Sequence, residues 1–166
     1  MSVSIRNFTR QPVPRLPFAE AAAAALPGWE VSLAFVGETR AQALNTALRN
    51  KRYVPNVLSY QAGEKSGEII ICPSVAAKQA PDFGLAPDRY CLLLFIHGLF
   101  HLKGLRHGGT MERRERALMA RVMKTMRPAL RFARVSPSLL PHGPTHRNRH
   151  RHRHLPGEAG RGRRAR

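Results

Sequence analysis

Two kinds of apolar spacing follow each other along the chain, and together they predict a mixed α+β domain. Short β-rich runs bounded by glycine and polar residues predict strands at 3–8, 30–36, 57–60 and 67–72. Apolar residues at helical spacing predict helices at 16–26 and 38–50, and further helices that begin at Pro73, at Asp88 and at Thr110. The order β-α-β-α-β-β-α-α-α is typical of one small mixed sheet of about four strands covered by helices.

Proline, glycine and polar residues indicate where these elements end. Pro27-Gly28 closes the alanine-rich helix, and residues 61–66 separate two strands, which indicates a hairpin or two adjacent strands. Residues 81–87 are predicted as a loop, after which Asp88 stands where a helix N-cap is expected. The last helix is predicted to reach about Met126.

The character of the chain changes after Val135. Residues 136–166 begin with three spaced prolines, Pro137, Pro141 and Pro144, which are followed by a His/Arg-rich run and a Gly/Arg-rich end. Such a segment buries too little apolar surface to offset the entropy lost on ordering, so we predict a disordered tail. The chain of 166 residues is therefore expected to contain one folded domain over 1–135 and a basic tail over 136–166.

The chain is strongly basic, with 28 Lys and Arg against 10 Asp and Glu and a net charge of +18. The tail contributes eight arginines and one acid, Glu158, while the first 135 residues carry 20 basic against 9 acidic residues, a net +11. Basicity therefore belongs to the domain as well as to the tail. It predicts a polyanionic partner, nucleic acid first and an anionic membrane surface second.

The cysteine content and the hydropathy favour a cytoplasmic protein. Cys72 and Cys91 each stand in an apolar run and are not spaced as a ligand pair, so we predict buried, reduced thiols. No stretch approaches the roughly 20 apolar residues that span a bilayer, and the first residues lack the apolar core of a signal peptide. A membrane partner is not expected.

Three histidines within eleven residues have the spacing H-x3-H-x5-H. His97 and His101 are four residues apart, so on a helix both imidazoles lie on one face. Gly104 can adopt a positive φ and end the helix, which would let His107 return toward the other two. An isolated histidine on an apolar helix is usually a core residue, but three at this spacing favour a metal site.

Three neutral imidazoles would leave one position of a tetrahedral zinc ion open, as in catalytic sites. Zinc suits this ligand set, although nickel, copper or cobalt would also accept it. The spacing and Gly104 are similar to those of zinc peptidases, but Gly98 stands where such enzymes carry the glutamate that acts as general base. The sequence therefore argues against a peptidase.

The histidine segment resembles the signature H-G-x-L-H-L-x-G-x-D-H of the YbeY-type endoribonucleases, which are metal-dependent rRNA maturation factors. The matching residues are His97, Gly98, His101, Leu102, Gly104 and His107. Three more blocks agree in order: 44–49 resembles L-N-x-x-[YF]-R, 56–60 resembles [DN]-V-L-S-F, and 67–72 resembles G-D-[IVL]-x-I-C. The resemblance spans about residues 3–126.

The resemblance implies a zinc-hydrolase-like fold and a single Zn²⁺ held by His97, His101 and His107. It also implies cleavage of single-stranded rRNA at the 3′ end of 16S rRNA, with the small ribosomal subunit and its proteins as partners. The family's arginine after L-N corresponds to Arg49, so Arg49 and His97 are the expected catalytic residues. From spacing alone, the favoured interpretation of Arg49 is a solvated helix residue beside Lys51 and Arg52, and only the resemblance assigns it a function.

Some positions depart from the family pattern. Arg106 stands where Asp is usual, which removes a carboxylate beside the third histidine and adds a positive charge. Phe100, Glu68 and Pro55 also replace the usual residues. The change at 106 favours a rival function, a non-catalytic ribosome-assembly factor that binds rRNA and uses its metal structurally.

Other polar residues have two open interpretations. Asn45, Asn56 and Ser59 either cap turns or order the floor of a cleft. The basic residues of the last helix form either its solvated side or an RNA-binding surface; they are Arg113, Arg114, Arg116, Arg121 and Lys124. The five histidines of the tail alternate with arginine, which favours phosphate binding over metal binding.

Overall fold

The computed structural model of the protein describes residues 3–126. Four strands, five α-helices and one 3-10 turn follow each other in this part of the chain. Their bounds are β1 Val3–Asn7, α1 Phe18–Ala25, β2 Glu30–Phe35, α2 Glu38–Arg49, β3 Val57–Gly63, β4 Ser66–Ile71, α3 Pro73–Gln79, the 3-10 turn Ala80–Phe83, α4 Pro87–Leu102 and α5 Gly109–Thr125. The segment 136–166, predicted as a disordered tail, lies outside the described residues, as does the predicted domain end at 135.

The four strands form one mixed sheet in the order β1-β2-β4-β3. β1, β2 and β4 are parallel, and β3 is antiparallel to β4. The predicted hairpin is confirmed, since β3 and β4 pair directly with a register shift between Gln61 and Gly63. The predicted α+β class with a four-stranded mixed sheet covered by helices is therefore confirmed.

The two faces of the sheet contact different helices. Successive side chains of a strand point to opposite faces, so Leu33 and Ile69 pack with α4 in one cluster while Ala34 and Ile70 pack with Ala41 of α2 in another. The strands β2 and β4 lie in the middle of the sheet and are apolar on both faces, as expected of covered parallel strands.

Helix α4 is the central helix of the fold. Its residues from Tyr90 to Phe100 are all buried, because α1, α3, α5 and the sheet pack around it. A helix that is apolar on every side requires such an environment. His97 and His101 therefore lie on a helix that is packed on all sides.

Two glycines allow α4 to lie close against β4. A Cβ atom added at Gly98 would come within 3.1 Å of the Cδ1 and Cγ2 atoms of Ile69. One added at Gly67 would come within 2.6 Å of Cδ1 of Leu102. Gly98 thus serves close packing directly beside His97, and a larger residue at this position would move the helix from the sheet.

Some predicted boundaries were wrong. Asp88 is not the N-cap of α4, because Pro87 occupies the first helical position, where its fixed φ and missing N–H are favourable, and Ala86 becomes the cap. The segment 81–87 is not entirely a loop, since residues 80–83 form a 3-10 turn. The last helix begins at Gly109 instead of Thr110.

Both cysteines lie in the core, as predicted. Burial raises the pKa of the Cys91 thiol to about 12, so it stays protonated at neutral pH. Within residues 3–126, no helix has the length and apolar character needed to cross a bilayer.

Candidate metal centre

The C-terminal end of α4 brings the three histidines together. After the helix ends at Leu102, the Gly104 N–H donates to the His101 carbonyl (2.9 Å) and the Leu105 N–H donates to the Phe100 carbonyl (3.0 Å). These two bonds form a Schellman motif, with Gly104 at a φ of +86°. The chain reverses here and places His107 beside the helix, as the sequence predicted.

The rings form a compact cluster. Their centroids are 4.5 Å apart for His97 and His101, 4.6 Å for His101 and His107, and 5.1 Å for His97 and His107. One nitrogen atom from each ring lies within 4.8 Å of the other two. His97 is buried, His101 is half-buried and His107 is exposed, so the cluster is open to solvent on one side.

Hydrogen bonds on the outer ring nitrogens fix the orientation of two histidines. Nδ1 of His97 lies 2.8 Å from Oε1 of Glu115, and Nδ1 of His101 lies 3.0 Å from the carbonyl oxygen of Leu105. Both partners are acceptors, so both Nδ1 atoms carry hydrogen and donate it. In the neutral rings, both Nε2 atoms then hold lone pairs.

The two Nε2 atoms face each other at 3.0 Å. Lone pairs at this distance repel unless a proton or a cation lies between them. Two nitrogens held about 2.0–2.1 Å from a tetrahedral zinc ion are about 3.4 Å apart, close to the distance found here. The donor set therefore fits a metal ion, which His97, His101 and His107 could hold together.

The electrostatic environment favours the neutral form of His101. Its pKa is lowered to about 4, chiefly because the ring is buried and then because of the electrostatic influence of the nearby His97, His107 and Arg49 side chains. A histidine must lose its proton before it can bind a metal. At neutral pH His101 is therefore already in the form that binds.

Glu115 is the residue that sequence reasoning missed. It lies on α5, is only 1% exposed and is the hydrogen-bond partner of His97. A signal was present in the sequence, because Glu115 shares the apolar side of α5 with Met111, Leu118 and Val122. A carboxylate on the buried side of a helix requires a partner, and a histidine of the preceding helix supplies one.

Arg49 is the last residue of α2, and two side chains of that helix form hydrogen bonds with the backbone of the loop that follows. Thr46 Oγ1 donates to the Lys51 carbonyl (3.0 Å), and Asn45 Nδ2 donates to the Tyr53 carbonyl (2.9 Å). Asn50 takes a left-handed conformation that ends the helix. The backbone at Arg49 therefore lies next to an ordered loop, and its exposed side chain is near enough for its charge to act on His101.

The remaining polar candidates divide by their contacts. Asn45 ties the loop after α2, and Asn56 accepts from its neighbour Val57 (2.7 Å) and donates to Gln79 Oε1 (2.9 Å), so both order turns. Ser59 lies on β3 opposite Ile69. Arg106 is exposed beside His107, so the carboxylate that contacts the cluster comes from α5 and not from position 106.

The sequence model of the endoribonuclease YbeY family matches residues 5–129. The chain belongs to this family. The endoribonuclease YbeY of Aromatoleum aromaticum is 30% identical over 129 residues, which cover 75% of this chain and 84% of that protein. That of Thiobacillus denitrificans is 36% identical over 102 residues, or 55% of this chain and 69% of the relative. The family resemblance drawn from the four sequence blocks is thus confirmed.

Two further comparisons agree with this. The endoribonuclease YbeY of Neisseria meningitidis serogroup C is 39% identical over 89 residues, 47% of this chain and about half (52%) of the relative. The solution structure of TM1509 from Thermotoga maritima superposes with a TM-score of 0.57 at 21% identity, covering 74% of this chain and 90% of the other. At this identity, the structural likeness establishes a common fold.

Proposed function

We propose that this chain is a metal-dependent endoribonuclease that cuts single-stranded RNA, with the 3′ end of 16S rRNA as its substrate during ribosome maturation in the cytoplasm. Family membership supports the nuclease activity. The observation that carries the proposal is the pair of Nε2 atoms of His97 and His101, which converge at 3.0 Å while their Nδ1 atoms are anchored elsewhere.

In this proposal, His97, His101 and His107 hold one Zn²⁺ ion. When bound, the metal supplies a positive charge that polarises the phosphodiester and promotes ionisation of the attacking water. Glu115 and the Leu105 carbonyl hold the His97 and His101 rings in the orientation that presents Nε2 to the ion.

Arg49 is assigned the role of stabilising the negative charge that develops on the phosphate during cleavage. A guanidinium presents two parallel N–H donors to two oxygens of one phosphate. These hydrogen bonds are strongest when the oxygens acquire extra negative charge in the transition state. Its position at the anchored end of α2, within electrostatic reach of His101, supports this role.

Glu115 does not fit the role of a general base for water. Its carboxylate contacts Nδ1 of His97, which is on the opposite edge of the ring from Nε2. A base must be within hydrogen-bond reach of the proton that it removes. Glu115 is therefore assigned to orient His97 and to raise the basicity of its Nε2 atom.

The test is cleavage of an RNA that contains the 3′ end of 16S rRNA, in single-stranded form and as a duplex. The purified protein is compared with His97→Ala and Arg49→Ala, with and without a chelator, and Arg52→Ala is the matched control for loss of a nearby positive charge. We expect the unmodified protein to cleave the single strand and to lose this activity when the chelator is added or when His97 is replaced by alanine. The cleavage rate should decrease about 10²–10³-fold in Arg49→Ala and change little in Arg52→Ala.

Two results would refute the proposal. Cleavage retained in both His97→Ala and Arg49→Ala would indicate a contaminating nuclease. Binding of rRNA without any cleavage would favour the rival function, an assembly factor with a structural metal, for which the replacement at Arg106 remains the sequence argument.

A further inference from the structure

We propose that the solvent-facing side of α5 binds the phosphate backbone of the RNA strand beyond the point of cleavage. This inference rests on the proposed function and adds a substrate-binding surface to it. The surface, called here the basic face, consists of Arg113, Arg114, Arg121 and Lys124, all of which are exposed.

Helix geometry places these four side chains on one side of α5. At about 100° per residue, they fall within an arc of about 100° around the helix axis. The opposite side carries the buried residues, which are Met111, Glu115, Leu118, Met119 and Val122. Ala117 is exposed within the basic arc and Ala120 at its edge, and their small side chains leave room for a nucleic-acid backbone between the longer basic ones.

The charges of the basic face are not neutralised within residues 3–126. No carboxylate of this part of the chain forms an ion pair with any of the four side chains. Arg113 donates only to a neutral group, the hydroxyl of Thr110, at 3.2 Å. Like charges three or four residues apart, such as Arg121 and Lys124, destabilise a helix by a few tenths of a kcal/mol, so this arrangement is unfavourable without an anionic partner.

Helix α5, which carries the basic face, begins beside the metal centre. Gly109, the first residue of α5, follows His107 by two positions, and Glu115 contacts His97 from the buried side of the same helix. From Arg113 to Lys124 the face extends about 16 Å at 1.5 Å per residue. That length is enough to contact several successive phosphates of a nucleic-acid strand.

The composition of this face favours RNA over a lipid surface. A helix that lies on a membrane inserts large apolar side chains beneath its basic ones. The exposed arc of α5 has only alanines among its basic residues, and its large apolar residues pack in the core. A phosphate backbone requires cations and close approach, both of which the face provides.

The test is a measurement of RNA affinity against salt concentration with the full-length protein. A fluorescent single-stranded RNA of about 20 nucleotides is titrated at several KCl concentrations, and the slope of log K against log[KCl] is determined. The α5 variant carries Arg113→Gln, Arg114→Gln, Arg121→Gln and Lys124→Gln. The matched control loses four exposed positive charges elsewhere, through Arg6→Gln, Arg10→Gln, Arg15→Gln and Lys65→Gln.

Each phosphate contact in a single strand contributes about 0.7 to the slope, so we expect the slope of the α5 variant to fall by about 3 and that of the control to fall by less than half as much. A third protein with Arg113→Lys, Arg114→Lys and Arg121→Lys keeps the charge and is expected to keep the slope. This charge-conserving variant distinguishes an effect of lost charge from an effect of altered helix structure. Circular dichroism measures the helix content of all variants.

Equal slopes in the α5 variant and the control would overturn the inference, as would the absence of RNA binding by the unmodified protein. The inference would also be overturned if the α5 variant lost binding to phosphatidylserine vesicles but kept its RNA binding. That result would indicate that the basic face binds a membrane surface. This result can be distinguished from a failure of the proposed function. If the protein cleaves no RNA but the salt dependence of RNA binding decreases in the α5 variant, the basic face is an RNA-binding surface and the nuclease proposal fails.

Discussion

Oε1 of Glu115 lies 2.8 Å from Nδ1 of His97, and both side chains are buried. The contact joins α5 to the end of α4 and decides which nitrogen of His97 carries hydrogen. Its consequence is that Nε2 keeps its lone pair and points toward His101. One carboxylate, 18 residues along the chain, thus sets the chemistry of the first histidine.

We predict that Glu115→Gln weakens metal binding about 10- to 100-fold, as is usual when a carboxylate partner of a metal-binding histidine is lost. The amide oxygen can still accept from Nδ1, so the ring keeps its place, but it no longer raises the basicity of Nε2. The measurement is competition for Zn²⁺ against a chelating dye, with the exposed Glu64→Gln as control. Equal affinities in the variant and the unmodified protein would contradict the role assigned to Glu115.

The turn at Gly104 gives a second prediction. Gly104 has a φ of +86° and Gly28 a φ of +80°, and neither has an atom within 4 Å of an added Cβ. Both Gly104→Ala and Gly28→Ala should therefore cost about 1–2 kcal/mol of unfolding free energy. Only Gly104→Ala should also weaken Zn²⁺ binding, because it disturbs the return of His107. Equal metal affinity in the two variants would refute a specific role of this turn.

A third prediction concerns the packing of α4 against β4. Gly98→Ala should lower the unfolding free energy by about 1–3 kcal/mol, since its Cβ would press on the side chain of Ile69 at 3.1 Å. Ile69→Val, which alone costs about 0.5–1.5 kcal/mol, should cost less in the presence of Gly98→Ala. Urea unfolding of the unmodified protein, the two single variants and the double variant gives the coupling free energy between positions 98 and 69. Strict additivity would mean that the two residues do not press on each other.

The pH dependence of the metal-free protein gives a fourth prediction. The pKa of His101 is lowered from 6.5 to about 4 in the folded protein, so between these values the unfolded chain binds a proton that the folded protein does not. Stability therefore falls as the pH decreases from about 6.5 to about 4. Thermal unfolding in the presence of chelator should show this loss, and His101→Gln should make it shallower. An unchanged pH profile in the variant would contradict the assignment.

Much of the fold follows from local patterns. Strand alternation, the glycine after α4 and the apolar run before His97 each act over a few residues, so the elements and the return of His107 could be predicted. Where two local signals competed, the prediction went wrong: Asp88 is a good N-cap residue, but the proline before it, Pro87, has the stronger preference for the first turn.

The site was less predictable because its chemistry depends on contacts between distant residues. The histidine spacing marks three ligand candidates but does not specify which nitrogen faces the others; that follows from the contacts of Glu115 and of the Leu105 carbonyl. The place of Arg49 likewise depends on side chains of α2 that fix the following loop. The spacing alone favoured a solvated residue at Arg49, and only the family resemblance indicated a functional one.

The central claim is that one metal ion held by His97, His101 and His107 makes this protein a ribonuclease. A zinc titration of metal-stripped protein tests this claim most directly. Cleavage of single-stranded RNA is followed as Zn²⁺ is added to the unmodified protein, to His101→Ala, and to a variant in which the five tail histidines are replaced by glutamine. The account predicts that activity reaches a plateau at one equivalent in the unmodified protein and in the tail variant, and that it stays absent in His101→Ala. Activity in the stripped protein without added metal, or a plateau that disappears with the tail histidines, would contradict it.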